Sequence, residues 1–272
     1  MKRTESPGPV VVGIDGSKAA VNAAKWAIDE AISRDVPLRL VYVTHIREAS
    51  IAPRVDFHFE QQYAEAALRQ AHAAVEATGR LVKVETAVLR GEVDDTLVEE
   101  SRDAAMICVG SVGIGRISRM LFGSTAVSLA THAHCPVAVI RTKSGAPPPD
   151  DGWIAVVVND EPDNDAVLHA AMDEARLRGA AVLGLGVWQW DVGDLPYDEL
   201  DRRLSARMDR DPDVLVHPVA TGGRAALFLQ TTNERVALAV IGSADADRVM
   251  RLIGPHSHPI LDHAECSVLV VR

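Results

Sequence analysis

The apolar positions of this chain fall into short, mostly unbroken runs separated by longer mixed stretches. In the first half the runs are PVVVGID (9–15), LRLVYVTH (38–45), LVKVETAVL (81–89), MICVGSV (106–112) and PVAVIRT (136–142). They are rich in Val and Ile and alternate little, which is the pattern of strands buried on both faces of a parallel sheet. The stretches between them have helical period. In HFEQQYAEAALRQAHAAVEATG, Phe59, Tyr63, Ala67, Ala71 and Val75 recur every four residues while Glu60, Glu65, Arg69 and Glu76 fall elsewhere. That spacing predicts a helix whose stripe Phe59–Tyr63–Ala67–Ala71–Val75 faces the core and which Gly79 closes.

The second half repeats this order with IAVVVND (154–160), AAVLGLGV (180–187), VLVHPVAT (214–221), LAVIGSA (238–244) and SVLVVR (267–272). The residues repeat as well. THAHCPVAVIR (131–141) aligns without gaps on DHAECSVLVVR (262–272), and Asp15 at the end of the first run corresponds to Asp160. Between the halves lies SGAPPPDDG (144–152), whose three consecutive prolines favour an extended segment and stop either neighbour. Duplication of one five-stranded α/β unit is the simplest account, with domains at 1–143 and 153–272 joined by a linker at 144–152.

Composition narrows the classes. With 272 residues, 47% hydrophobic and 24% charged, and a mean hydropathy of +0.05, the chain has the balance of a folded protein rather than a disordered one. Three cysteines, Cys108, Cys135 and Cys266, sit in or beside apolar runs and read as reduced, buried thiols rather than a disulfide framework. No run approaches the roughly 18 apolar residues of a spanning helix, and MKRTESPGPV lacks the apolar core of a signal peptide. A cytoplasmic location is the expectation. The formal charge is −10, and it is unevenly distributed. Residues 1–144 hold 17 basic and 17 acidic side chains, leaving 11 and 21 of the chain's 28 and 38 to the second half. Such a balance argues against nucleic acid or an anionic membrane as partner.

Doubly wound sheets place their chemistry at the carboxyl ends of the strands, beside the switch in strand order. Two segments stand there. In GIDGSKAA the first strand ends at Asp15 and Ser17 is placed to cap the next helix. In GSVGIGRISRMLFGST (110–125), Gly110, Gly113 and Gly115 permit close backbone approach, and Gly123 precedes Ser124 and Thr125 at the start of a helix. A glycine loop leading into helix N–H groups is a phosphate cradle by its physics.

The spacing Gly110, two residues, Gly113, nine residues, Gly123, Ser124, directly after a strand, resembles the ATP-binding signature of the universal stress protein family. With GIDGS and AHCPVAV, the whole first half is similar to that family, and the whole chain to its tandem form. The resemblance implies two Rossmann-like α/β domains, each a five-stranded parallel sheet of order 3-2-1-4-5 with helices on both faces. It further implies ATP, with or without Mg²⁺, and a nucleotide-responsive role in stress adaptation rather than enzymatic turnover. By the same carry-over Asp15, flanked by Gly13 and Ile14, faces adenine and ribose, and the Val43 backbone reads the adenine edge. Val109, Gly110, Gly113 and Gly115 bring backbone to ribose and phosphates, while Gly123, Ser124 and Thr125 offer donors to the outer phosphates and Arg116 adds positive charge. Another adenine nucleotide, such as cyclic AMP, stays open as the ligand. The two halves are expected to pair across their last strands, PVAVIRT and SVLVVR, since strand five is an edge in this order and too apolar to leave bare, and a homodimer and a protein partner are the further expected associations.

The second half departs from the signature. Gly242 is kept, but Asp245 stands in place of Gly113, and Gly254 is followed by Pro255 and His256. Proline lacks an N–H and an aspartate repels phosphate, so this half is not expected to bind ATP in the same manner. The His256–His258 pair has no further ligands at a recognised spacing and is not read as a metal site. Two other classes remain beside the regulator. A nucleotidyl-transferring enzyme would carry HxGH or SGGxD, and neither is present. A nucleotide-free scaffold would hold the loop as a relic.

Overall fold

The computed structural model describes residues 7–44, 55–111, 123–141, 152–187, 196–221, 225, 228, 229, 232, 234–246 and 266–272. The chain divides into two compact units, Met1–Pro147 and Pro148–Arg272. The first contains β1 (Val10–Gly13), α1 (Lys18–Ser33), β2 (Leu38–Thr44), α2 (Val55–Glu76), β3 (Val84–Arg90), α3 (Val93–Glu100), β4 (Met106–Gly110), α4 (Ser124–His132) and β5 (Val137–Ile140). Its strands are parallel in the order β3-β2-β1-β4-β5. The second contains β6 (Trp153–Val158), α5 (Asn164–Arg178), β7 (Val182–Gly186), α6 (Pro196–Met208), β8 (Val216–Ala220), β9 (Val236–Gly242) and β10 (Ser267–Val271). Its order, β8-β7-β6-β9-β10, is the same topology. All ten apolar runs are strands, as expected.

In the first unit continuous apolar runs are tolerated because helices cover both sheet faces. In β1, Val10, Val11 and Val12 are at most 1% exposed, each such burial contributing about 1.5–3 kcal/mol. Helices α1 and α2 pack together, as do α3 and α4. Right-handed crossovers place the first pair on one face and the second on the other for this strand order. Helix α1 lies close to the sheet because its inner face is alanine: Ala20, Ala23, Ala24, Ala27 and Ala31 are all buried. Its start is fixed by Ser17, whose Oγ accepts from the Ala20 N–H at 3.1 Å, the cap read from the sequence. Gly16, at φ 86°, turns the chain out of β1 into that cap. The last turns of α1 and α5 share a device: the buried carboxylates Glu30 and Glu174 are ion-paired to Arg34 and Arg178, four residues on.

Helix α2 corrects one expectation. Ala67, Ala71 and Val75 are buried, together with Ala64 and Leu68, but Phe59 and Tyr63 are 65% and 48% exposed. At about 1.5 Å per residue α2 is about 33 Å long, whereas β2, seven residues at about 3.3 Å, is about 23 Å. The first turns of α2 therefore overhang the carboxyl edge of the sheet, and the aromatic half of the stripe has no core to enter. Its C-terminal end is as expected: Gly79, at φ 70°, donates to the Glu76 carbonyl. His132 closes α4, its Nδ1 lying 3.1 Å from the Ser128 carbonyl. Cys108, Cys135 and Cys266 are buried and form no disulfide. Among the described residues no helix is long and apolar enough to cross a membrane.

Candidate functional site

The carboxyl ends of β1 and β4 lie side by side, with Val12 in register with Cys108, and their following helices leave on opposite faces. That divergence opens a cleft of about 620 Å³, within the usual size of small-ligand pockets. Its floor is Gly13, Ile14 and Asp15 from β1, Val41, Tyr42 and Val43 from β2, and Val109 and Gly110 from β4. Gly123, Ser124, Thr125 and Ala126 at the start of α4 form one wall, with Val93 and Leu97 of α3. Glu60 and Tyr63 of α2 face them from the other side of the sheet.

Nine residues singled out in the sequence thus line one cleft: Gly13, Ile14, Asp15, Val43, Val109, Gly110, Gly123, Ser124 and Thr125. Gly113, Gly115 and Arg116 lie outside the described residues, as do Gly254, Pro255, His256 and His258 of the second half. The two described glycines of the loop have different reasons to be glycine. A Cβ on Gly110 would stand 2.7 Å from the carbonyl carbon of Ala19 and 2.9 Å from its Cβ, so this glycine lets α1 lie against β4. Among the described residues a Cβ on Gly123 would meet nothing nearer than the Ser111 carbonyl oxygen at 3.9 Å. Its φ of −71° suits any residue. Neither its backbone angle nor its described neighbours call for glycine there.

Gly123 is the N-cap of α4 and donates its own N–H to the Ser111 carbonyl at 2.8 Å. It has no side chain to accept from the first-turn N–H groups, in contrast to Ser17 on α1, and no acidic residue stands in that turn. The positive end of α4 is therefore presented to the cleft, a setting suited to an anion. The acidic groups are elsewhere. Asp15 accepts from the Ser17 N–H at 2.9 Å, an arrangement that holds its carboxylate at the β1 terminus.

Tyr42, Glu60 and Tyr63 were not singled out as site residues in the sequence. Tyr42 and Tyr63 meet edge to face, ring centres 6.1 Å apart at 70°. Burial pushes the Tyr42 phenol above its ordinary value, and Tyr63, Glu60 and Asp15 push it the same way, so it stays protonated. The length of α2 relative to β2 was the available signal that its first turns overhang the cleft.

At the equivalent place in the second unit the strand-end groups are engaged by other side chains. Asp160 is ion-paired with Arg203 of α6, which also donates to the Asn159 carbonyl and binds Glu199. Asn159 Nδ2 donates to Asp245 Oδ2 at 2.8 Å, tying the end of β6 to the segment after β9. At the helix–strand contact equivalent to Gly110–Ala19, Gly242 faces Asp163 and Val167 of α5.

A parallel sheet with a switch-point cleft beside a glycine-capped helix defines a doubly wound, Rossmann-like α/β protein. Comparison with known proteins gives the family. The universal stress protein family model matches residues 8–141. The chain is 52% identical over 263 residues to universal stress protein Rv2624c of Mycobacterium tuberculosis, spanning 97% of this chain and 96% of that one. It is 42% identical over 270 residues to universal stress protein Rv3134c of the same species, spanning 97% and 95%. The structure of a universal stress protein from Archaeoglobus fulgidus shares the fold at a TM-score of 0.68 and 16% identity, over 97% of this chain and 96% of that one. This chain belongs to the universal stress protein family. The similarity to these relatives runs through both units, including the second, which lies beyond the stretch the family model matches.

Proposed function

We propose that the first unit binds an adenine nucleotide, ATP in the first place, and that its occupancy regulates a response to stress without appreciable turnover. The observation that carries this reading is Gly123: a glycine that its described neighbours do not require, capping a helix whose first turn lines a switch-point cleft. In this reading Ser124 and Thr125 hold the outer phosphates, with Gly113, Gly115 and Arg116 completing the loop. Asp15 and the Val43 backbone face the nucleoside. Hydrogen bonds to charged groups contribute about 1.5–3 kcal/mol each, so a few support a Kd near about 1 μM, or about −8 kcal/mol. The acidic side chains described at the cleft, Asp15 and Glu60, are not on α4; any Mg²⁺ would travel with the phosphates.

The second unit, with Arg203 across Asp160, serves structure or a protein partner, and the chain acts as a cytoplasmic homodimer. The test is mass spectrometry of small molecules released from the natively purified protein. An adenine nucleotide at close to one per chain supports the reading. Protein that carries none and binds none in titration favours a nucleotide-free scaffold.

A further inference from the structure

The two sides of the cleft differ in chemistry. The α4 side offers backbone N–H groups and the hydroxyls of Ser124 and Thr125. The α2 side offers two aromatic rings and a carboxylate, with Asp15 near enough to act on the same phenol as Glu60. Glu60 and Tyr63 are three residues apart and so project from one face of α2. Tyr63 keeps 48% of its surface exposed although it touches Tyr42, because the overhang of α2 lifts it clear of the core. A phosphate is repelled by the carboxylates and drawn to the helix end. A base and sugar have the opposite needs: an aromatic surface to cover the ring, and acceptors for amine or hydroxyl protons.

We propose that Tyr63 and Glu60 form a nucleoside clamp. Tyr63 covers the base, and Glu60 accepts a hydrogen bond from a nucleoside N–H or O–H. The clamp rests on the nucleotide reading above and adds a specificity to it. Nucleotides whose charge lies wholly on the 5′ side are accepted, and those with a further phosphate on the 2′ or 3′ oxygen of the ribose are rejected by the Glu60 and Asp15 carboxylates.

Calorimetric titration of the full chain tests this. Tyr63→Ala should weaken ATP and AMP by the same factor, roughly five- to hundredfold, as expected for loss of an aromatic covering a base. Tyr63→Phe should retain affinity, since the ring and not the hydroxyl does the covering. The wild type should prefer ADP to adenosine 3′,5′-bisphosphate by about tenfold or more, and Glu60→Gln should narrow that ratio. Both positions are partly exposed, and a matching melting curve verifies that each variant is folded. Unchanged ATP and AMP affinities in folded Tyr63→Ala, or an unchanged ratio in Glu60→Gln, overturn the clamp while nucleotide binding stands. A wild type that binds none of these ligands overturns the nucleotide reading itself.

Discussion

Arg203 of α6 is ion-paired to Asp160, the residue that holds in the second unit the place Asp15 holds in the first. The same guanidinium reaches the Asn159 carbonyl and Glu199. A cation so placed engages the carboxylate that would face a nucleoside, and Asp245 stands where the first unit has a loop glycine. One ATP is therefore expected per full-length chain. Isothermal titration giving two equivalent sites would contradict this assignment.

The glycines at 110 and 123 should separate stability from binding. Gly110→Ala drives a methyl into Ala19 and should cost about 1–3 kcal/mol, the usual penalty of overpacking. Gly123→Ala clears the other described residues at an ordinary φ and should change stability by less than about 1 kcal/mol. It should nevertheless weaken ATP about tenfold or more, by filling the approach to the α4 donors. Thermal denaturation paired with titration checks both, and a Gly123→Ala protein that binds ATP normally would remove Gly123 from the site.

Acid should loosen the second unit through Glu199. Hydrogen bonds from Arg202 and Arg203 hold its carboxyl at about 2, against an ordinary 4.5. The folded state thus binds this proton less readily than the unfolded chain, so the contribution is full above 4.5 and is lost as pH falls through about 2. The side chain is 38% exposed, and solvent screening keeps the effect small. Urea midpoints of wild type and Glu199→Gln, measured across that window, should converge as pH falls. A constant gap would show that the pair contributes nothing.

Hydrolysis should be slow or absent. It requires an oriented water, a base or positioning group near the γ-phosphate, and stabilisation of charge developing there. The described acidic groups of the cleft, Asp15 and Glu60, are at its nucleoside side in the proposed orientation. Ser124 and Thr125 are neutral donors that hold ground and transition states nearly alike. A steady-state rate above about 1 s⁻¹, within the ordinary enzyme range, that is lost on changing Asp15 or Arg116 would reverse the assignment.

The sequence by itself determined the sheet and the neighbourhood of the site. Unbroken Val and Ile runs can be satisfied only by strands covered on both faces, so all ten were legible, and the match of 131–141 to 262–272 exposed the duplication. Asp15 and the Gly123–Thr125 segment were legible because turns and caps are written in local residue chemistry. Tertiary structure decided what depends on relative lengths and close approach. Periodicity placed Phe59 and Tyr63 on the core face of α2, but the helix is longer than the strand beneath it, so both emerge from the core and Tyr63 lines the cleft. Gly110 lines the cleft, and tertiary structure adds the close approach that its missing Cβ allows to Ala19, 91 residues away in the chain. Arg203 reaches Asp160 for the same reason: no local pattern records which side chain a sheet will bring across its own edge.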